Sequence, residues 1–321
     1  MPLVTPVPAG PAEVDAATAA VRRKLTVTRG AGPARPGGMI ESPRREPAGK
    51  LDRVGAVQHS VEYYFPPGSA TRRVIGDPAA LIGGFSALFL QALHPRAMAG
   101  VDQHSNIAED FWPRLQRTAN YVTTLAFADT VAADRAVARV RGLHRHVRGT
   151  DPVTGRSYSA DDPDLLRWVH VTEVSSFAHA VRRLGLIDPA TEDRFFAEQV
   201  LAAELLGTTD VPASRAAVEA YFEAVRPELV ASPVARRAAL RLAVAPLPCR
   251  VELLTPARPV WTAVAAVAIG MLPEWAKRLY GLPRIPGTTA ISDLATTAGL
   301  WALRAAMLGV RRARGLRPPP L

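Results

Sequence analysis

Along residues 129–149, DTVAADRAVARVRGLHRHVRG, the apolar positions Val137, Val140 and Val147 recur at helical spacing. Asp129 or Thr130 stands where a helix is capped and Gly149 where one ends, so the pattern predicts a helix over 129–149. His144 falls on its apolar face. His146, two residues on, is turned about 200° away toward Arg139, so only one of the two imidazoles looks into the protein. The same period predicts helices over 110–128, 191–206 (stopped by Gly207), 212–225, 259–272 and 288–312. Three more open with a capping residue followed by proline at the first helical position: Asp77-Pro78 (77–93), Asp162-Pro163 (162–185) and Ser232-Pro233 (232–245). No stretch alternates apolar and polar residues between hairpin turns, and no repeat of fixed period is present. The predicted fold is all-α, a single multi-helix domain.

Composition sets the limits of that domain. Residues 1–50 hold eight prolines and six glycines with almost no aromatic residue, too little apolar surface to offset the entropy of ordering. They are predicted to be a disordered extension, with one short helix around 12–25. The helical domain is expected over 51–312, led in by Tyr63-Tyr64-Phe65-Pro66-Pro67, and a basic, Pro-rich tail over 313–321. Gly83-Gly84 strips side chains from one helix face, which suits close approach of another helix or of a flat ligand. The net charge of +10 is concentrated at the ends: the first 50 residues carry eight basic and four acidic side chains, and five arginines with no acid follow Leu300. The near-neutral middle lacks helix-turn-helix signals and aromatic-rich strands, which argues against nucleic acid as a partner. No signal peptide is visible, and the most apolar run, 260–272, is too short to span a bilayer. The expected location is cytoplasmic, and that run with the Arg-rich end leaves room for a peripheral membrane contact.

Candidate chemistry narrows by elimination. The single cysteine, Cys249, excludes a disulfide framework, a Cys-rich metal site and covalent haem attachment. Zinc-protease, di-iron, serine-hydrolase, P-loop and dinucleotide-binding motifs are all missing. Several histidines and a cationic cluster remain. Arg114, Arg117 and Thr118, at i, i+3 and i+4, share one helix face and can polarise an oxygen species or clamp a carboxylate; a solvated face is the plain alternative. Tyr121 and Val122 nearby suggest partial cover. His170 shares an inward face with Leu166, Val174, Phe177 and Val181. A neutral imidazole in an apolar pocket suits iron or haem, and it equally suits a core histidine bonded to a carbonyl. His144 and His170 therefore compete as axial ligands, with His94, at the end of its helix before Pro95, as a supporting group and His104 in a polar loop.

Taken in order, His94-Pro95 with His104-Ser105, Arg114-Leu115-x-x-Thr118, Arg141-x-x-His144-x-x-Val147-x-Gly149, Tyr158-x-Ala160-x-Asp162-Pro163 with Trp168-Val169-His170, and Leu205-Leu206-Gly207 carry a resemblance. Over roughly 76–283 the chain resembles the family grouped as domain of unknown function 2236, which contains the MpaB oxygenases and, more distantly, the latex-clearing rubber oxygenases. The resemblance implies an all-α fold with a globin-like core, a b-type haem and oxidation by dioxygen. By position it makes His144 the proximal iron ligand and Arg114-x-x-Arg117-Thr118 the counterpart of a distal Arg-x-x-Lys-Thr cluster. Arg117 replaces a lysine that can approach iron, and a guanidinium that stays protonated is a poor ligand. The family's proposed glutamate base has no matching position, Glu109 being the nearest.

The expectation is a haem b oxygenase with iron on His144. Arg114, Arg117 and Thr118 stabilise oxygen or anchor propionates, and His170 is supporting or the ligand instead. By family analogy the substrate is a small hydrophobic, isoprenoid-like molecule used with dioxygen. The competing expectations are a non-catalytic helical ligand- or haem-binding protein and a peroxide-driven haem oxidase of the same fold. The sequence leaves the oligomeric state open.

Overall fold

The computed structural model describes residues 61–104, 111–244, 257–283 and 289–316. The expected extension over 1–50 with its short helix, Ser105, Glu109, Cys249 and the end of the tail lie outside these residues.

Twelve α-helices occur among the described residues: α1 (Ala70–Ile75), α2 (Pro78–Gln91), α3 (Pro95–His104), α4 (Phe111–Phe127), α5 (Thr130–His144), α6 (Pro163–Arg183), α7 (Pro189–Leu206), α8 (Arg215–Val225), α9 (Pro233–Val244), α10 (Ala257–Gly270), α11 (Glu274–Tyr280) and α12 (Thr289–Ala313). Their starts are fixed by short side chains that accept the first orphan N–H groups. Asp77 accepts from Ala79, Asp129 from Ala132, Asp162 from Asp164, Asp188 from Thr191 and Ser232 from Ala235, at 2.7–3.1 Å. The fold is all-α, a single domain.

Two local expectations are corrected. The helix predicted over 129–149 ends at His144, and the chain then forms β1 (Arg148–Thr150), antiparallel to β2 (Ser157–Ser159). Gly149 is therefore a strand residue and not a helix stop. A Cβ there would come within 2.6 Å of both Tyr158 Oη and Gln103 Oε1, so glycine is what lets this ribbon lie against α3. Three-residue strands are too short for alternation to be read. His94-Pro95, taken as a helix end, is also the start of α3: the Met98 N–H donates to the His94 carbonyl at 2.9 Å, and His104 closes that helix instead of lying in a loop.

At the centre, α2 packs along α6. A Cβ on Gly83 would meet the Ser176 carbonyl oxygen at 2.4 Å, and one on Gly84 would touch Phe177, so the glycine pair serves this helix contact. Trp168 is fully buried and its Nε1–H donates to the Gln91 carbonyl at 3.3 Å. α10 and α12 cover α2 as well. Arg304 of α12 forks onto the Asp77 carboxylate at 2.7–3.0 Å, and Arg311 donates to the Gly76 carbonyl, so two arginines of the basic end tie helices together. The lead-in packs as expected: Phe65 is buried and its carbonyl accepts from Arg72 Nε at 2.7 Å. No single described helix is long and apolar enough to cross a membrane. Helices α10 and α11, bent by 114°, reach that length and composition only together. Trp261, Val264, Ala265, Val267 and Ala268, within the apolar run, are buried in the protein.

Candidate active site

Two helices form the main walls. On α4, Arg114, Leu115, Thr118, Tyr121, Val122 and Leu125 fall at i, i+1, i+4, i+7, i+8 and i+11, which places them on one face. On α6 the corresponding face carries Leu166, Val169, His170, Glu173, Val174 and Phe177. Between these faces lies a cavity of about 520 Å³, bounded also by α2, α3, the end of α5 and β2. Small-molecule sites span about 300–1,000 Å³ and are mostly apolar with a few placed polar groups, and this cavity has that make-up.

Arg114, Arg117, Thr118, His144 and His170 all line it. The three α4 residues share a face as expected, but all three are exposed, whereas Tyr121 and Val122 beside them are half-buried. His144, the last residue of α5, is half-buried; its carbonyl accepts from the Val147 N–H at 3.1 Å, and no hydrogen bond of its imidazole occurs among the described residues. Burial holds its pKa below the ordinary value; the Arg114 charge adds to this and Asp161 opposes it. The imidazole is accordingly neutral near pH 7, with a carboxylate near enough to act on it. That carboxylate is itself held low by the hydrogen bond from Ser159 Oγ and by Arg148, 3.5 Å away. His146 is exposed, but it lies in the turn after α5, so its exposure does not come from its angle around the helix.

His170 is buried, 6 % exposed, and its Nε2 has no partner. Burial pushes its pKa down to about 4, partly offset by a hydrogen bond with the Gln199 backbone. His104 also lines the cavity and is anchored by Nε2 to the Arg148 carbonyl at 3.0 Å. His94 is buried at the joint of α2 and α3, its ring centroid 5.9 Å from that of Trp168, and is not part of the cavity wall.

Three residues of the site were not singled out from the sequence. Glu173 lines the cavity, and burial pushes its carboxyl up to about 7. Tyr121 presents a buried hydroxyl without a partner, held high by burial and by the nearby Glu173. Asp161 is close enough to His144 to act on it electrostatically. For Glu173 a signal existed: it follows Leu166 and His170 at helical spacing on the inward face, where an acid is out of place.

Fold and cavity thus define an all-α protein with a large, mostly apolar cavity lined by imidazole and guanidinium groups. The catalytic-domain family described as ER-bound oxygenase mpaB/B'/rubber oxygenase matches residues 72–312, and the chain belongs to this family. All five sequence-derived positions lie within that span. Comparison with curated proteins and with solved structures gave no significant match.

Proposed function

We propose that the chain is a haem-dependent oxygenase acting on a small hydrophobic substrate with dioxygen. The observation that carries this reading is the convergence of Arg114, Arg117, Thr118, His144 and His170 from three helices on one mostly apolar cavity. The residues fit a haem. His144 offers a neutral imidazole with no competing hydrogen bond, two arginines match carboxylate side arms, and the remaining wall is largely apolar. Among the described residues no cluster of three His, Cys, Asp or Glu side chains could hold a bare metal ion, a state that haem, needing one protein ligand, does not require. A bound haem would supply the one-electron and dioxygen chemistry that side chains lack.

The protein's own part is positional. His144 would hold the iron, and the nearby Asp161 carboxylate would favour positive charge on its ring. Arg114 and Arg117 hold permanent positive charge at the cavity wall, and the Thr118 hydroxyl adds a donor there; together they fix anionic or polar oxygen groups at that end. The apolar faces of α4 and α6 exclude water and hold a hydrophobic substrate. Because much of the 260–272 run is buried, a peripheral lipid contact would use Ile291, Leu294 and Trp301, exposed on α12 ahead of its basic end.

The test is haem retention by variants of the full chain expressed with haem supplied. His144→Ala is expected to lose the haem absorption band while His170→Ala keeps it. An unaltered spectrum in His144→Ala sinks the ligand assignment.

A further inference from the structure

Within the cavity, away from Arg114, lies a second polar feature. Tyr121 is seven residues beyond Arg114 on α4, about 10 Å along the helix axis. Its hydroxyl is buried and has no hydrogen-bond partner. Facing it from α6 are Glu173, close enough to act electrostatically on Tyr121, and His170 one turn before, whose buried Nε2 is likewise unpartnered. Among the described residues the Glu173 carboxyl makes no hydrogen bond or ion pair, and burial alone accounts for its raised pKa. Native interiors rarely leave buried polar groups unpaired. Here two of them, on two helices, together with the half-buried carboxyl of Glu173, border one cavity whose neighbouring positions are Val122, Val174 and Phe177.

We propose that Tyr121, His170 and Glu173 form a polar pole that binds the hydroxyl group of an otherwise apolar substrate. This names the substrate class of the site described above and rests on that reading. A ligand alcohol both donates and accepts, so it can satisfy a phenol, a carboxyl and an imidazole nitrogen without bringing charge into the cavity. A ligand carboxylate would meet Glu173, and a ligand ammonium would enter a cavity already bearing Arg114 and Arg117. The alcohol is therefore the chemistry that pairs all three groups. Its apolar body lies along the apolar faces of α4 and α6.

The test compares two probes of one carbon skeleton, farnesol and farnesene, together with farnesoic acid and farnesylamine. Each competes with the fluorescent dye N-phenyl-1-naphthylamine for the full-length protein, in its haem-loaded and haem-free forms. Farnesol is expected to displace the dye about tenfold more tightly than farnesene, and more tightly than the acid or the amine. In Tyr121→Phe and in Glu173→Gln that preference is expected to shrink to about threefold or less, with farnesene binding unchanged and thermal unfolding confirming folded protein. Equal affinity for alcohol and hydrocarbon in the parent, tighter binding of the acid or amine, or a preference that survives both substitutions overturns the proposal. Absence of a haem band alone would count against the haem reading and leave this comparison intact.

Discussion

Asp77 serves two helices at once, as cap of α2 and as the acceptor of the Arg304 fork from α12. Asp77→Ala removes a cap, about 1 kcal/mol, and the partner of a largely buried guanidinium, so a loss of about 2 kcal/mol or more is expected in urea unfolding. Asp77→Asn, which keeps the cap and one acceptor oxygen, is expected to recover about half. The buried titratable groups set the pH dependence with two signs. His94, His170 and His179 have pKa values near 4 in the fold against 6.5 ordinarily, so the unfolded chain binds their protons first, and stability falls as pH drops from about 6.5 toward 4. Glu173, near 7 in the fold against 4.5 ordinarily, acts oppositely and removes stability as pH rises through that window. Glu173→Gln is therefore expected to gain stability relative to the parent between pH 4.5 and 7 and to hold that gain above. A difference in unfolding midpoint that does not vary with pH would contradict the assignment. At this scale His144 and His170 were legible because each shares a helix face with apolar residues, whereas the helical angle used to set His146 apart does not apply beyond the end of α5. The inward position of Glu173 could have been read the same way, but its lack of a partner, like that of Tyr121, could not, since an unpaired group is defined by what other helices fail to supply.

Helix α2 illustrates how backbone approach shapes an element. Gly83 lies against the Ser176 backbone, which cannot swing aside, so Gly83→Ala is expected to cost about 2–3 kcal/mol through forced separation of α2 from α6. Gly309, exposed on α12 with open space around its Cα, should behave in reverse: Gly309→Ala is expected to raise stability by up to about 1 kcal/mol. Comparable thermal shifts for the two would show that helix propensity, and not packing, governs both. Elements with a capping residue and proline, α2, α6 and α9, were readable from the sequence because cap and ring act within three residues. Helix α3 escaped because His94 is a weak cap and Pro95 serves equally to end one helix and begin the next. The six-residue α1, the seven-residue α11 and the three-residue strands escaped because none is long enough to show a period.

The whole molecule places one cavity among helices distant in sequence, which explains why the family pattern was readable and the pocket was not. The order of short motifs survives in one dimension, whereas the meeting of α4, α5 and α6 is a tertiary fact. On the outer surface, Ile291 and Leu294 are about 70 % exposed on α12. If this face meets lipid as proposed, the protein should float with anionic phosphatidylserine vesicles, and the pair Ile291→Asp with Leu294→Asp should abolish flotation without changing the unfolding midpoint. A parent protein that never floats removes the lipid contact from the proposal. The cavity remains the central claim, and one spectrum tests it: visible absorption of the full chain purified with haem supplied during expression, before and after reduction with dithionite. A Soret band with the pattern of a histidine-ligated b-type haem, shifting on reduction, is the expected result. A colourless protein would contradict the haem oxygenase reading and leave His144, Arg114 and Thr118 as the wall of a pocket that only binds.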